Sequence, residues 1–345
     1  MTDSLVLVAN AGDSSISTFR LSGGSLERLA VTEGLTGCST FVLDPVRDLL
    51  YAGVKASGDG GLPAVVTLRL DRTTGALTPV SRHELPDGAM SYLALAHRGT
   101  VLLGASYGGG YGATWPVVDG LLHAPVSRVD APNLHAVLPS ADDRFAYFVS
   151  LGADLVAQFA LSEDARLEPL VPATVAAPAG SGPRHLVQNA AGDAVYVLTE
   201  FSGEVLQYSR DVRTGVLALR GAADAYDPAA VSGPGRLGVD PRPEGLIWGA
   251  DIHLAADGRH VWCSERTGST LGAVTIGPAG DMSHPEGFTV TEPQPRGFDL
   301  SPDGAHLVAA GERSAEVSLY AVDGDRLQLL ERAETGRGAN WVRIV

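Results

Sequence analysis

Two cysteines, Cys38 and Cys263, are all that 345 residues contain. Cys263 lies in VWCSE, an apolar strand pattern, so buried thiols in a reducing compartment are expected rather than a disulfide. No stretch approaches the roughly 20 apolar residues of a membrane span. The start, MTDSLVLVANAG, lacks the charged and long apolar regions of a signal peptide. A cytoplasmic protein with no membrane partner is the expectation. Positive charge is also short: 25 Lys and Arg stand against 40 Asp and Glu, for a net charge of −15. That balance argues against nucleic acid or an anionic lipid surface as partner. A small anionic ligand would need a local basic pocket.

The usual signatures of cofactor, metal and nucleophile chemistry are missing too. There is no H-x-x-x-H pair, no cysteine cluster and no D-x-D-x-D-G loop, so spacing supports no metal site. No G-x-S-x-G elbow is present to carry a serine nucleophile. GASYGGGYG has the glycine density of a dinucleotide loop, but it follows a strand pattern and opens no helix. No cofactor is expected.

What the chain does have is 42 glycines, 21 prolines and short blocks of valine and leucine, with 19% charged and 45% hydrophobic residues. That is a turn-rich β composition. It is also repetitive. GFDLSPDGAHLVAAGERSAEVSLYAVDGDRLQLLERAET, from Gly297 to Thr335, reads as four strands joined by three turns. Asp251, His185, His135 and Thr40 each open a copy, and Tyr92 opens a weaker one. A period of about 40 to 50 residues marks propeller blades. The N-terminus enters at the second strand of the pattern, and the last residues, GANWVRIV, form a first strand with nothing after it. Joining Asn340 to Val345 with Ser4 to Val31 makes a seventh blade. The expectation is an all-β, seven-bladed propeller over residues 1–345 as one domain, closed by the C-terminal strand and leaving no open sheet edge. YDPAAVSGPGRLGVDPRPEG, residues 226–245, reads as a long loop between blades five and six.

The first strand of each blade lines the central channel, so equivalent positions at its start form a ring around one mouth. Aligned on the S-P-D-G turn, that ring holds Ser39, Ser91, Leu134, Arg184, Ala250, Arg296 and Asn340. The next position holds Thr40, Tyr92, His135, His185, Asp251, Gly297 and Trp341. The second strand runs back to the same mouth and ends there at Lys55, Tyr107, Leu151, Glu200, Arg266 and Glu312. A base or acid (Glu200, His135, His185) thus meets cations (Arg184, Arg266, Arg296) able to hold an anion or an oxyanion. The competing structural roles are an ion pair between blades for Glu200 and a hydrogen bond to a neighbouring blade for His135. His185, next to Arg184, is expected to face away from the channel. Glu312 and Lys55 are expected to be solvated rim charges, and Asp251 and His253 to link blades.

WGADIHLAADGRHVWCSERTGSTL, EGFTVTEPQPRGFDLSPDGAHLVAAG and the close GRGANWVRIV resemble the propeller-type bacterial 6-phosphogluconolactonases and the carboxymuconate cyclases of the same superfamily. The likeness spans nearly the whole chain and is strongest from about Gly182 onward. It implies a cofactor-free lactonase whose catalytic set, carried in NLHAVLPSADDR, SGPRH, VYVLTE and CSERTG, is His135, Arg184, Glu200 and Arg266. The remaining mouth residues His185, Arg296, Asn340 and Tyr107 are then candidates for binding a small anionic sugar lactone. Either Glu200 or His135 could be the base. An aldarolactone hydrolase, a muconate-type cycloisomerase and a non-catalytic interaction propeller are the alternatives, and the expected state is a monomer or weak homodimer.

Overall fold

A computed structural model describes residues 3–56 and 60–345; residues 57–59, inside the second repeat, lie outside the described residues. Seven antiparallel sheets follow one another around a ring. The middle strands explain why the sheets stack. Leu49–Val54, Phe145–Ser150, Ala194–Thr199 and His306–Gly311 are apolar almost throughout and buried on both faces or nearly so. A strand covered on both faces needs no polar side, so it reads as a continuous run. The outermost strands, such as Leu77–Glu84 and Leu217–Asp224, are mostly exposed.

Turn chemistry sets the repeat. In the last full blade Ser301 Oγ donates to Asp303 Oδ1 at 2.6 Å and accepts the His306 N–H at 2.9 Å, while Gly304 takes φ +72°. These are the local bonds that make Ser, Asp and Gly turn formers. Blade three departs from the pattern. Its first turn, His97–Gly99, is a short 3₁₀ segment, and its outer strand is broken into Leu121–Leu122 and Ser127–Asp130. Tyrosines tie neighbouring blades together: Tyr147 donates to the Gly215 carbonyl at 2.7 Å and Tyr51 to that of Gly120 at 3.1 Å. Both cysteines are buried and unpaired, and burial pushes the Cys38 thiol up to about 12.

The ring closes as the sequence suggests. Ala339–Ile344 pairs with Ser4–Asn10, with Val8 opposite Val342 and Ala9 opposite Trp341. Leu5 and Val345 exchange two backbone hydrogen bonds of 2.8 Å each. Arg337 reaches Asp13 at 2.7 Å, and the Trp341 indole donates to the Phe41 carbonyl of the next blade at 2.9 Å. Removing residues 340–345 would leave a long edge unpaired and strip Trp341, Val342 and Ile344 from buried positions. Each large apolar side chain contributes about 1.5–3 kcal/mol on burial. The truncated chain should therefore melt at least about 10 °C lower or fail to fold; a thermal melt that superimposes on that of the full chain would contradict the closure.

Candidate active site

Backbone register decides which side chains enter the channel mouth. In five blades the inner strand carries one extra residue relative to its partner. Pairing steps from Pro183 to His185, from Leu134 to Ala136, from Pro295 to Gly297 and from Ala339 to Trp341 while the partner strand advances by one. The blade from Gly249 to Leu254 slips in the same region. In the first four of these the extra residues are Arg184, His135, Arg296 and Asn340. A bulge of this kind bends the strand and re-aims a side chain. The register corrects the sequence alignment by one position: His135, not Leu134, is the counterpart of Arg184, and Leu134 packs in the core between blades. The turns agree, since Ser140, Asn189 and Ser301 make the same turn-closing backbone bond five residues after His135, Arg184 and Arg296.

Arg184 enters from Pro183–Gln188 and is almost completely buried. Gly182, at φ +66°, makes the approach possible: a Cβ there would lie 2.5 Å from the Phe201 ring. Its carbonyl accepts the Glu200 N–H at 2.7 Å. The Arg184 Nε then donates to Glu200 Oε2 at 2.8 Å, and Arg266 Nη2 reaches the same oxygen at 3.0 Å. The other oxygen, Oε1, accepts the Trp248 indole N–H at 3.2 Å. Arg266 is fixed further by the carbonyls of Trp248 and Gly249, and its guanidinium lies 3.8 Å from the centre of the Trp248 ring. Glu265 holds this loop in place, accepting the N–H groups of Trp248, Thr267 and Gly268.

The three charges set one another's protonation. Burial works to raise the Glu200 pKa, but Arg266, Arg184 and Arg296 together outweigh it, and the carboxylate is held below its ordinary value. Burial and the neighbouring Arg266 bring Arg184 down to about 9, still a cation at neutral pH. Glu200 is thus an anion with both oxygens occupied. Among the described residues, Arg184 Nη2 and Arg266 Nη1 have no protein acceptor.

His135 is the opposite case. It is 5% exposed, and its Nδ1 is buried with no hydrogen-bond partner. Such a group costs about 1–3 kcal/mol to leave unsatisfied. Its ring is flanked by Tyr107 and His185 at centroid distances of 5.7 and 5.1 Å. Burial first, then the positive field of Arg184 and its neighbours, keeps the imidazole neutral, with its pKa well below 6.5.

His135, Arg184, Glu200, Arg266, Arg296, Tyr107 and Trp248 line one cavity of about 490 Å³ at the mouth. The other sequence candidates fall elsewhere. His185 faces into the channel rather than away from it, packing edge-on against Tyr92 and Trp341 beneath Arg184. Its Nε2 sits 3.0 Å from Arg184 Nη1, a donor, so Nε2 accepts and Nδ1 carries the proton toward Asp251 Oδ1 at 2.8 Å. Burial lowers its pKa to about 3, so it is neutral. Asn340 is buried outside the cavity lining, with Oδ1 unpartnered. Glu312 is not a free rim charge: it binds Arg296 at 2.8 Å and Gln294, and burial notwithstanding, Arg296 brings it down to about 2. Asp251 does link blades, accepting from His185, from the Phe298 N–H and from His253. The sequence reading missed Trp248, whose signal was its place directly before the inner strand of blade six, and Glu265, a buried carboxylate in a strand that otherwise reads as apolar.

Comparison with known proteins agrees with this architecture. The model of the family described as "Lactonase, 7-bladed beta-propeller" matches residues 6–344. The 6-phosphogluconolactonase of Cronobacter sakazakii is 30% identical over 324 residues, 93% of this chain and 92% of that protein. The 6-phosphogluconolactonase of an Enterobacter species is 30% identical over 346 residues, 98% of each chain. Among solved structures, a periplasmic gluconolactonase of Pseudomonas aeruginosa superposes with a TM-score of 0.87 at 25% identity, covering 100% of this chain and 99% of that one. With its seven closed blades and a family match from the first strand to the last, the chain belongs to the lactonase family of seven-bladed β-propellers.

Proposed function

We propose that the protein hydrolyses a sugar lactone, 6-phosphogluconolactone being the first candidate, with His135 as general base and Arg184 and Arg266 as the oxyanion site. The observation that carries the assignment is the division of labour around Glu200. Its oxygens accept from two guanidinium groups and an indole N–H, and the arginines hold its pKa below the ordinary value, which makes it a poor proton acceptor. His135 lines the same cavity and is neutral, and among the described residues neither ring nitrogen has a hydrogen-bond partner; Nδ1 is buried outright, which leaves Nε2 as the one to meet water.

Water between His135 and the lactone carbonyl would lose a proton to the imidazole as its oxygen bonds to the carbonyl carbon. The resulting oxyanion would lie against the free N–H groups of Arg184 and Arg266. Collapse breaks the ring C–O bond, and the imidazolium returns its proton to the departing alkoxide oxygen. Lactone and water become one hydroxy acid, with no oxidant or cofactor in the balance. Glu200 is a positioning residue in this scheme, keeping two like charges adjacent. Tyr107 and Arg296, on the same wall, would contact the sugar. The unpaired thiols of Cys38 and Cys263 suit a reducing compartment, and no helix among the described residues is long and apolar enough to cross a membrane. A cytoplasmic site of action is part of the proposal.

Arg184→Ala should lower kcat for the lactone by about 10²- to 10³-fold, the usual effect of losing an oxyanion donor. A pH-indicator assay with spontaneous hydrolysis subtracted measures it, and near-normal turnover would refute the assignment. The pH profile has a definite sign as well. The neutral form of His135 is the active one, so activity is lost as pH falls through its pKa. For kcat/KM, which reports free enzyme, that fall should come well below 6.5. A bound anion offsets part of the cationic field on His135, so the fall in kcat should come at higher pH than the fall in kcat/KM. A kcat/KM profile already falling at 6.5 or above would contradict the neutral base.

A further inference from the structure

Lys55 is the only lysine in the chain; the other 24 basic residues are arginines. It follows the strand Leu49–Val54 in blade two, at the position that Glu200 and Arg266 occupy in blades five and six. In all three, the backbone N–H bonds a carbonyl just ahead of the inner strand: Thr36 for Lys55 at 2.9 Å, Gly182 for Glu200 at 2.7 Å and Trp248 for Arg266 at 3.0 Å. In a ring of seven, blade two stands across the mouth from blades five and six. Lys55 therefore faces the arginines from the opposite rim, and it lines the same cavity.

Its direction is set by packing. The aliphatic stem lies over Gly37, where a Cβ would come within 2.9 Å of Lys55 Cδ, and Gly37 has φ +56°. The charge balance distinguishes Lys55 from every other cation in the cavity. Arg184 and Arg266 share Glu200, and Arg296 is matched by Glu312. Asp87, on the same wall, is already bound by Arg128 at 2.6 Å. Among the described residues Lys55 is the one cation of this cavity with no ion pair and no side-chain hydrogen bond, so its charge is available to a ligand. A compact, rotatable ammonium binds phosphate as a point charge, and although arginine forks suit phosphate as well as carboxylate, the arginines here are already engaged by Glu200 and Glu312.

We infer that Lys55 binds the phosphate of a phosphorylated sugar lactone, holding the far end of the substrate while the carbonyl lies against Arg184 and Arg266. This inference rests on the lactonase reading above and adds the preference for a phosphorylated substrate. Its measure is the ratio of kcat/KM for 6-phosphogluconolactone to that for unphosphorylated gluconolactone. Lys55→Ala should lower the ratio by about ten- to a hundredfold, as expected for loss of one charged hydrogen bond. Lys55→Glu should lower it further, and Lys55→Arg should restore most of it. Because no other lysine exists, reductive methylation read by mass spectrometry reports on Lys55 and the α-amino group alone; 6-phosphogluconate should protect Lys55 and gluconate should not. A ratio that is the same in wild type, Lys55→Ala and Lys55→Glu, or equal protection by the two acids, overturns the role of Lys55 while leaving the lactonase reading intact. Wild-type turnover of neither lactone overturns both.

Discussion

One carboxylate holds the mouth of this propeller together. Two arginines from adjacent blades could not lie side by side in a buried site without an anion between them, and Glu200 Oε2 accepts from both at 2.8 and 3.0 Å. Burying three charges carries a desolvation cost that a hydrophobic replacement would avoid, so the cluster is poor evidence of selection for stability. Its value is in preorganisation: donors already desolvated and oriented need no rearrangement when negative charge develops on a substrate. The same arrangement weakens Glu200 as a base, and the proposed scheme gives that work to His135, which burial and the surrounding cations keep neutral.

Beneath the arginines the channel is occupied by a second polar layer that serves the first. Arg184 leans on His185, His185 donates to Asp251, and Asp251 approaches His253, which in turn lies 3.2 Å from Asp299. Asp299 accepts the Ile344 N–H of the closing strand at 2.9 Å. The chain of contacts therefore runs from the mouth through blades five, six and seven to the strand that completes the ring. It links ring closure to the position of Arg184, so a fault in either is felt by the other.

Much of this was legible in the sequence because a repeat turns scattered residues into neighbours. The turn motifs, the apolar middle strands and the displaced terminal strands were enough to place seven blades and their closure, and to bring His135, Arg184, Glu200 and Arg266 to one mouth. What the sequence could not show was the extra residue in the inner strands. A bulge shifts register without leaving a composition signal when the extra residue is an arginine in one blade and a histidine in the next. That is why Leu134 stood in the ring where His135 belongs, and why His185 was expected to face outward. Glu312 was misjudged for a related reason: its partners Arg296 and Gln294 come from the adjacent inner strand and the residues before it, and only the packed structure shows how deeply the pair sits. Trp248 and Glu265 were missed because their roles depend on loop geometry, which has no period.

The assignment of the base is the centre of the account, and the acid side of the pH profile tests it most directly. His135→Gln and Glu200→Gln, assayed in parallel on one lactone across pH, separate the two carriers of that limb. The account predicts that the limb disappears with the imidazole in His135→Gln. It should persist in Glu200→Gln, where turnover is lower because the arginines have lost their shared anion. A limb that vanishes in Glu200→Gln and survives in His135→Gln would make Glu200 the base and contradict the account.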